Sequence, residues 1–117
     1  MEMLNITHEV QDDVLIVSLS GTFCYGLLDS AFQDRDKLED VLGKVEEKKI
    51  IINMRQLEKL SQEGLMVFIR YANENKLLIF VESCHHNVTD KIAMTGLDTF
   101  MNIQTNLEDA LAILHTA

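Results

Sequence analysis

The stretch Lys49-Ile50-Ile51-Ile52-Asn53-Met54, followed by Arg55 to Leu60 and then Ser61-Gln62-Glu63-Gly64-Leu65, decides the fold. Three β-branched residues in a row are too dense for a half-exposed strand. They predict a strand covered on both faces, the usual state in a parallel sheet. Arg55 to Leu60 reads as a loop. Ser61 is a helix N-cap whose hydroxyl accepts from a free N–H of the first turn. Leu65, Phe68, Ile69 and Ala72 then recur at helical spacing and form one apolar face. A buried strand therefore leads to a helix N-terminus, and in open α/β sheets ligands and partners gather at that corner.

Upstream, Met3 to Glu9 alternates loosely, with Leu4, Ile6, His8 and Val10 on the more apolar side. Gln11-Asp12-Asp13 reads as a turn and Val14 to Leu19 as a second strand, so the two form an antiparallel hairpin that Gly21 ends. Thr22 to Leu28 has no clear period. A helix begins near Asp29 or Asp34, with Phe32, Leu38, Val41, Leu42 and Val45 on one face and Arg35 interrupting it.

Downstream, Asn73 to Lys76 closes the central helix and Leu77 to Val81 is another apolar strand. Asn87 caps a short helix, Val88 to Thr95, with Val88 and Ile92 inward and Gly96 as the C-cap. Thr99 to Gln104 reads as a weak edge strand. Asn106 caps a last helix with a stripe of Leu107, Ala110, Leu111 and Leu114. The order β-β-α-β-α-β-α-β-α implies an α/β fold: a mixed, mostly parallel sheet of four or five strands with about four helices.

A chain of 117 residues is expected to form one domain. A net charge of −9 argues against nucleic acid and anionic membranes, because phosphate contacts need a basic patch. No apolar run approaches the ~20 residues that cross a bilayer, so direct membrane insertion is not expected. The first residues, Met1 to Asn5, lack the basic-then-apolar pattern of a secretory signal. Two cysteines, Cys24 and Cys84, make no disulfide framework and read as reduced thiols in a cytoplasmic protein.

Four segments resemble STAS domains, the family of bacterial anti-sigma factor antagonists and of the cytoplasmic tails of sulfate transporters. Val14 to Gly21 resembles the family's second strand with its closing Ser-Gly pair, Ser20-Gly21. Ile50 to Met54 resembles the strand written as hydrophobics, Asp, hydrophobic, and Met94-Thr95-Gly96-Leu97-Asp98 matches the Thr-Gly-Leu-Asp turn. Leu107 to Leu111 matches the closing helix. The resemblance covers nearly the whole chain and implies a non-enzymatic, cofactor-free protein-interaction domain, 1–117, in partner-switching signalling.

The strand-to-helix corner departs from the family pattern. That pattern reads Asp-Ser-Ser-Gly-Leu or Asp-Ser-Ala-Gly-Leu, and a serine ahead of the glycine accepts phosphate. Aligned on Gly64-Leu65, Ser61 stands at the Asp, Gln62 at the first Ser and Glu63 at the phosphorylated one. Glu63 thus marks a degenerate phosphosite. It is also a carboxylate in a first helical turn, which the helix dipole favours by ~0.3–1 kcal/mol. Ser61 is a second-rank phospho-acceptor behind its capping role. The implied contact surface for an anti-sigma factor or kinase-like regulator is Ser61, Gln62, Glu63, Gly64 and Met66. Cys24 falls near an acidic position of the family, and Thr22 to Lys37 is a few residues longer than the family norm.

Two other roles are open: a subunit of a membrane transport complex that binds a transporter ATPase, and a small-ligand or nucleotide sensor. His85 and His86, beside Cys84, suggest a polar loop more than a metal site, since neighbours on an extended chain point apart. Cys24 lacks a local base and reads as a packed thiol. No Gly-rich phosphate loop or catalytic triad order is present, so an enzyme is not expected.

Overall fold

A computed structural model of the chain describes residues 4–23, 28–43, 49–74 and 77–116. The strands are β1 (Asn5–Gln11), β2 (Val14–Phe23), β3 (Lys49–Leu60), β4 (Leu78–Val81) and β5 (Ile103–Gln104). The helices are α1 (Leu28–Gly43), α2 (Gln62–Glu74), α3 (His86–Thr95) and α4 (Leu107–His115), with a 3-10 turn at Leu97–Phe100. The five strands form one sheet in sequence order, antiparallel between β1 and β2 and parallel from there to β5. The α/β architecture and element order are those the sequence predicts.

Apolar side chains on the two faces of the strands make two clusters. On the first face, Leu15, Val17, Leu19, Ile50, Ile52, Met54, Leu78 and Phe80 pack against Leu38 of α1, Leu65 and Phe68 of α2, and Val88 and Ile92 of α3. On the second, Val14, Ile16, Ile51, Ile79 and Val81 pack against Ala110 and Leu114, which among the described residues come from α4. Ile50 to Ile52 are therefore buried on both sides, as a two-faced strand requires.

Several boundaries differ from the sequence reading. The hairpin loop is only Asp12-Asp13, with Gln11 paired to Val14 and Asp12 at φ 57°. The apolar side is buried at Leu4, just before β1, and half-buried at Ile6, but His8 and Val10 lie exposed. Gly21 does not end β2. It takes φ 84°, open to glycine, and the strand continues to pair Thr22 with Lys59 and Phe23 with Leu60.

The segment Arg55 to Leu60 is strand, not loop. The register runs Ser18 to Asn53, then Ser20 to Gln56, and Gly21 to Leu57, then Thr22 to Lys59. Each step inserts one extra residue into β3, so its buried positions fall three apart, at Met54, Leu57 and Leu60. Two β-bulges thus hide a long strand behind a spacing that is not period two.

Asn87 is not the cap of α3. His85 occupies that place, its carbonyl accepts from the N–H groups of Val88 and Thr89, and its own N–H donates to Ser83 Oγ at 2.9 Å. Of the expected edge strand, Thr99 to Gln104, the part that forms a strand is Ile103–Gln104. Gly96, left-handed at φ 71°, sends the chain into the 3-10 turn, where Thr99 Oγ1 donates to the Gly96 carbonyl. Asn106 caps α4 as expected, its Oδ1 accepting from Asp109 N–H at 2.8 Å. Cys24 and Val45 lie outside the described residues, so the expectations for them do too. Cys84 is a free, exposed thiol.

Candidate functional site

The corner where β3 meets α2 contains no loop. Leu60 ends the strand, Ser61 bridges, and Gln62 opens the helix. The Ser61 N–H donates to the Phe23 carbonyl at 3.5 Å, and its own carbonyl accepts from Leu65 N–H at 3.0 Å. Its hydroxyl accepts from Gly64 N–H at 3.2 Å. Ser61 is therefore the N-cap the sequence predicts, half-buried and committed to the helix start.

Beneath the first turn, Phe23 and Phe68 stack with centroids 4.9 Å apart, and Phe80 tilts against Phe68 at 5.4 Å. Gly64 is buried on this aromatic floor. A Cβ there would meet Leu60 Cδ1 at 2.7 Å, Phe23 Cδ2 at 2.9 Å and the Phe23 carbonyl at 3.0 Å. The glycine lets α2 settle directly on the end of β2.

Of the five residues the sequence assigns to the contact surface, Gln62, Glu63 and Met66 are exposed, Ser61 is half-buried and Gly64 is buried. Met66 exposes 53% of its surface, which is high for a large apolar residue beside a well-packed core. One turn on, Arg70 continues the row of Gln62 and Met66 at four-residue spacing. Its guanidinium reaches across to Glu39 of α1 at 2.7 Å, and it lies over the Tyr71 ring, 5.4 Å from the centroid. Burial pushes the Tyr71 hydroxyl above the usual tyrosine value, and the Glu39 charge adds to that. The sequence reading did not include Arg70, although its i+4 relation to Met66 was visible.

His85 and His86 do not sit in a polar loop; they open α3, with His86 exposed as the first helical residue. Among the described residues no group of three or more His, Cys, Asp or Glu is placed to hold a metal ion. No described helix is long and apolar enough to cross a membrane.

No curated protein matches the chain. Solved structures do. An anti-sigma factor antagonist from Mycobacterium paratuberculosis is similar at 21% identity and a TM-score of 0.80, over 96% of this chain and 94% of that one. The anti-sigma factor antagonist SpoIIAA in its unphosphorylated form is similar at 18% identity and a TM-score of 0.68, over 97% and 98%. A Moorella thermoacetica RsbS with a serine-to-glutamate substitution is similar at 23% identity and a TM-score of 0.65, over 95% of each chain. These likenesses establish the fold. The STAS domain model matches residues 5–110, so that with its five-stranded mixed sheet and its capped strand-to-helix corner the chain belongs to the STAS domain family.

Proposed function

We propose that this chain is a non-enzymatic, cytoplasmic interaction domain of the anti-sigma factor antagonist type, which docks on an anti-sigma factor or kinase-like regulator through the start of α2. The observation that carries the reading is the exposed set Gln62, Glu63 and Met66 at that helix start. An exposed apolar side chain flanked by polar ones is the composition of a small docking patch. Family membership and antagonist-type structural neighbours support the same class.

In this reading Glu63 is a fixed charge where the family carries a switchable phosphate. A carboxylate supplies one negative charge, whereas a phosphate supplies nearly two and three acceptor oxygens, so the mimicry is partial. Ser61 is a poor substitute acceptor because its oxygen already caps the helix.

The test is incubation of wild type and Glu63→Ser with a family kinase and ATP, with phosphate located by mass spectrometry. The variant is expected to take phosphate at residue 63 while the wild type binds the kinase and stays unmodified. Phosphate on wild-type Ser61 would mean that the switch has moved by two residues. No phosphate on either protein, together with no kinase binding, would remove the antagonist reading.

A further inference from the structure

The second face of the sheet changes character halfway along. Near the amino ends of the parallel strands, the row Glu9, Ile16, Ile51, Ile79 is mostly apolar, and Ile16, Ile51 and Ile79 lie in the cluster that α4 covers. The next row places Thr7 beside Ser18 and Ser18 beside Asn53. The row after that places Asn5 beside Ser20 and Ser20 beside Gln56. Strands ~4.8 Å apart turn these two rows into a compact polar grid three strands wide. Asn5, Thr7, Ser18, Ser20, Asn53, Arg55 and Gln56, with one apolar residue, Leu19, line a cavity there of about 320 Å³.

The first bulge of β3 builds this site. Strict alternation would put only one of Arg55 and Gln56 on the second face. The extra residue puts both there, between the buried Met54 and Leu57. The backbone N–H of Arg55 donates to Asn53 Oδ1 at 3.0 Å, and its carbonyl accepts from Cys84 N–H at 3.1 Å, so the bulge is held from both sides. Bulges that re-aim side chains are typical of sites.

The charge pattern selects the ligand. Arg35 and Arg70 meet at Glu39, and Lys49 pairs with Asp13. Among the described residues no ion pair engages the Arg55 guanidinium, in a chain of net charge −9. Glu9, one row away, does not line the cavity. A guanidinium fork suits a carboxylate or phosphate. The surrounding amides and hydroxyls both donate and accept, which suits a ligand's hydroxyl groups. No aromatic ring lines the cavity, so a nucleobase finds no stacking platform.

We infer that the bulged face of β1, β2 and β3 binds a small hydroxyl-bearing anion, with Arg55 holding its phosphate or carboxylate and the Thr7, Ser18, Asn53 row and the Ser20, Gln56 pair holding its hydroxyls. The site is separate from the docking corner at α2.

The experiment is a titration of the isotope-labelled protein, followed by amide NMR, with glycerol 3-phosphate and D-glycerate; inorganic phosphate and glycerol serve as controls. Saturable shifts are expected at residues 5–7, 18–20 and 53–56, and the two probes show whether phosphate or carboxylate is preferred. Both controls should bind more weakly than the better probe. Arg55→Gln should weaken binding by about tenfold or more. Ser20→Asp, which adds a carboxylate to the grid, should abolish it, with the rest of the spectrum of each variant unchanged. Four results would each overturn the inference: no saturable shift with either probe, shifts centred elsewhere, for example at the cavity lined by Met54, Glu82 and Asp98, undiminished binding by Arg55→Gln, or inorganic phosphate binding as tightly as the polyol anions.

Discussion

The ring of Phe68 lies 4.9 Å from that of Phe23 at an interplanar angle of 3°, so the middle of α2 is stacked on the last residue of β2. The stack fixes the height of the helix above the sheet. Gly64, one turn earlier, has no room for a methyl group between Phe23 and Leu60. Gly64→Ala should therefore destabilise the protein by about 1–3 kcal/mol, because the nearest atoms include a backbone carbonyl that cannot rotate away. Urea unfolding checks the loss. Unchanged stability would mean that α2 rides up without penalty.

Ile51 is fully buried, between Ile16 on β2, Ile79 on β4 and the α4 stripe. Ile51→Ala removes its γ- and δ-carbons where the backbone of a central strand cannot collapse inward. The expected cost is ~2–5 kcal/mol, read as a lower denaturation midpoint at unchanged slope. A cost well under that range would show that α4 moves in to fill the space.

Ser61→Ala leaves the Gly64 N–H without its capping oxygen and should cost about 1 kcal/mol. Ser61→Asp should retain most of that stability, since a carboxylate caps equally well. An equal loss in both variants would indicate that the hydroxyl matters through something other than the cap.

Met66 tests the proposed docking patch. Met66→Glu should alter stability by no more than about 0.5 kcal/mol, as expected for an exposed position. It should weaken binding to the true partner by about tenfold or more if the residue is a central contact. Unchanged affinity would move the interface away from this helix face.

Acid should loosen the hairpin tip. The Lys49 ammonium, hydrogen-bonded to Asp13 at 3.2 Å, holds the Asp13 carboxyl below its ordinary value of 3.8. A carboxyl lowered on folding adds stability above its unfolded pKa, and that contribution disappears as pH falls through the folded value. Stability should thus decline in this region below about pH 4, and Asp13→Asn should flatten the decline. The pH dependence of the melting temperature, compared between the two proteins, measures it.

How much of this was legible beforehand follows from how local each signal is. Ile50 to Ile52 and Leu78 to Val81 declared themselves because burial on both faces leaves no polar position in the run. Ser61, Gly96 and Asn106 were readable because capping is settled within one turn. The carboxyl half of β3 was not readable. Its bulges are imposed by pairing with β2, over 30 residues earlier in the chain, so Arg55 and Gln56 read as loop and the cavity they line went unseen. Asn87 misled for a similar reason. Ser83 anchors the backbone at His85, with its own hydroxyl donating to the Leu57 carbonyl at 2.6 Å, and this starts the helix before Asn87. At the corner, exposure of Gln62, Glu63 and Met66 followed from the helical period, whereas the burial of Gly64 depended on where Phe23 lands.

Among the described residues α4 is the one helix packed on the second face of the sheet, and it follows every strand that it covers. While a ribosome is making this protein, β1 to β4 can pair and the first face can close with α1, α2 and α3 before α4 has emerged. Through that interval Val14, Ile16, Ile51, Ile79 and Val81 form an apolar stripe open to solvent. Nascent chains on neighbouring ribosomes would meet stripe to stripe. Arrival of Ala110 and Leu114 covers the stripe, so completion of α4 is the step that withdraws it from other copies of the chain.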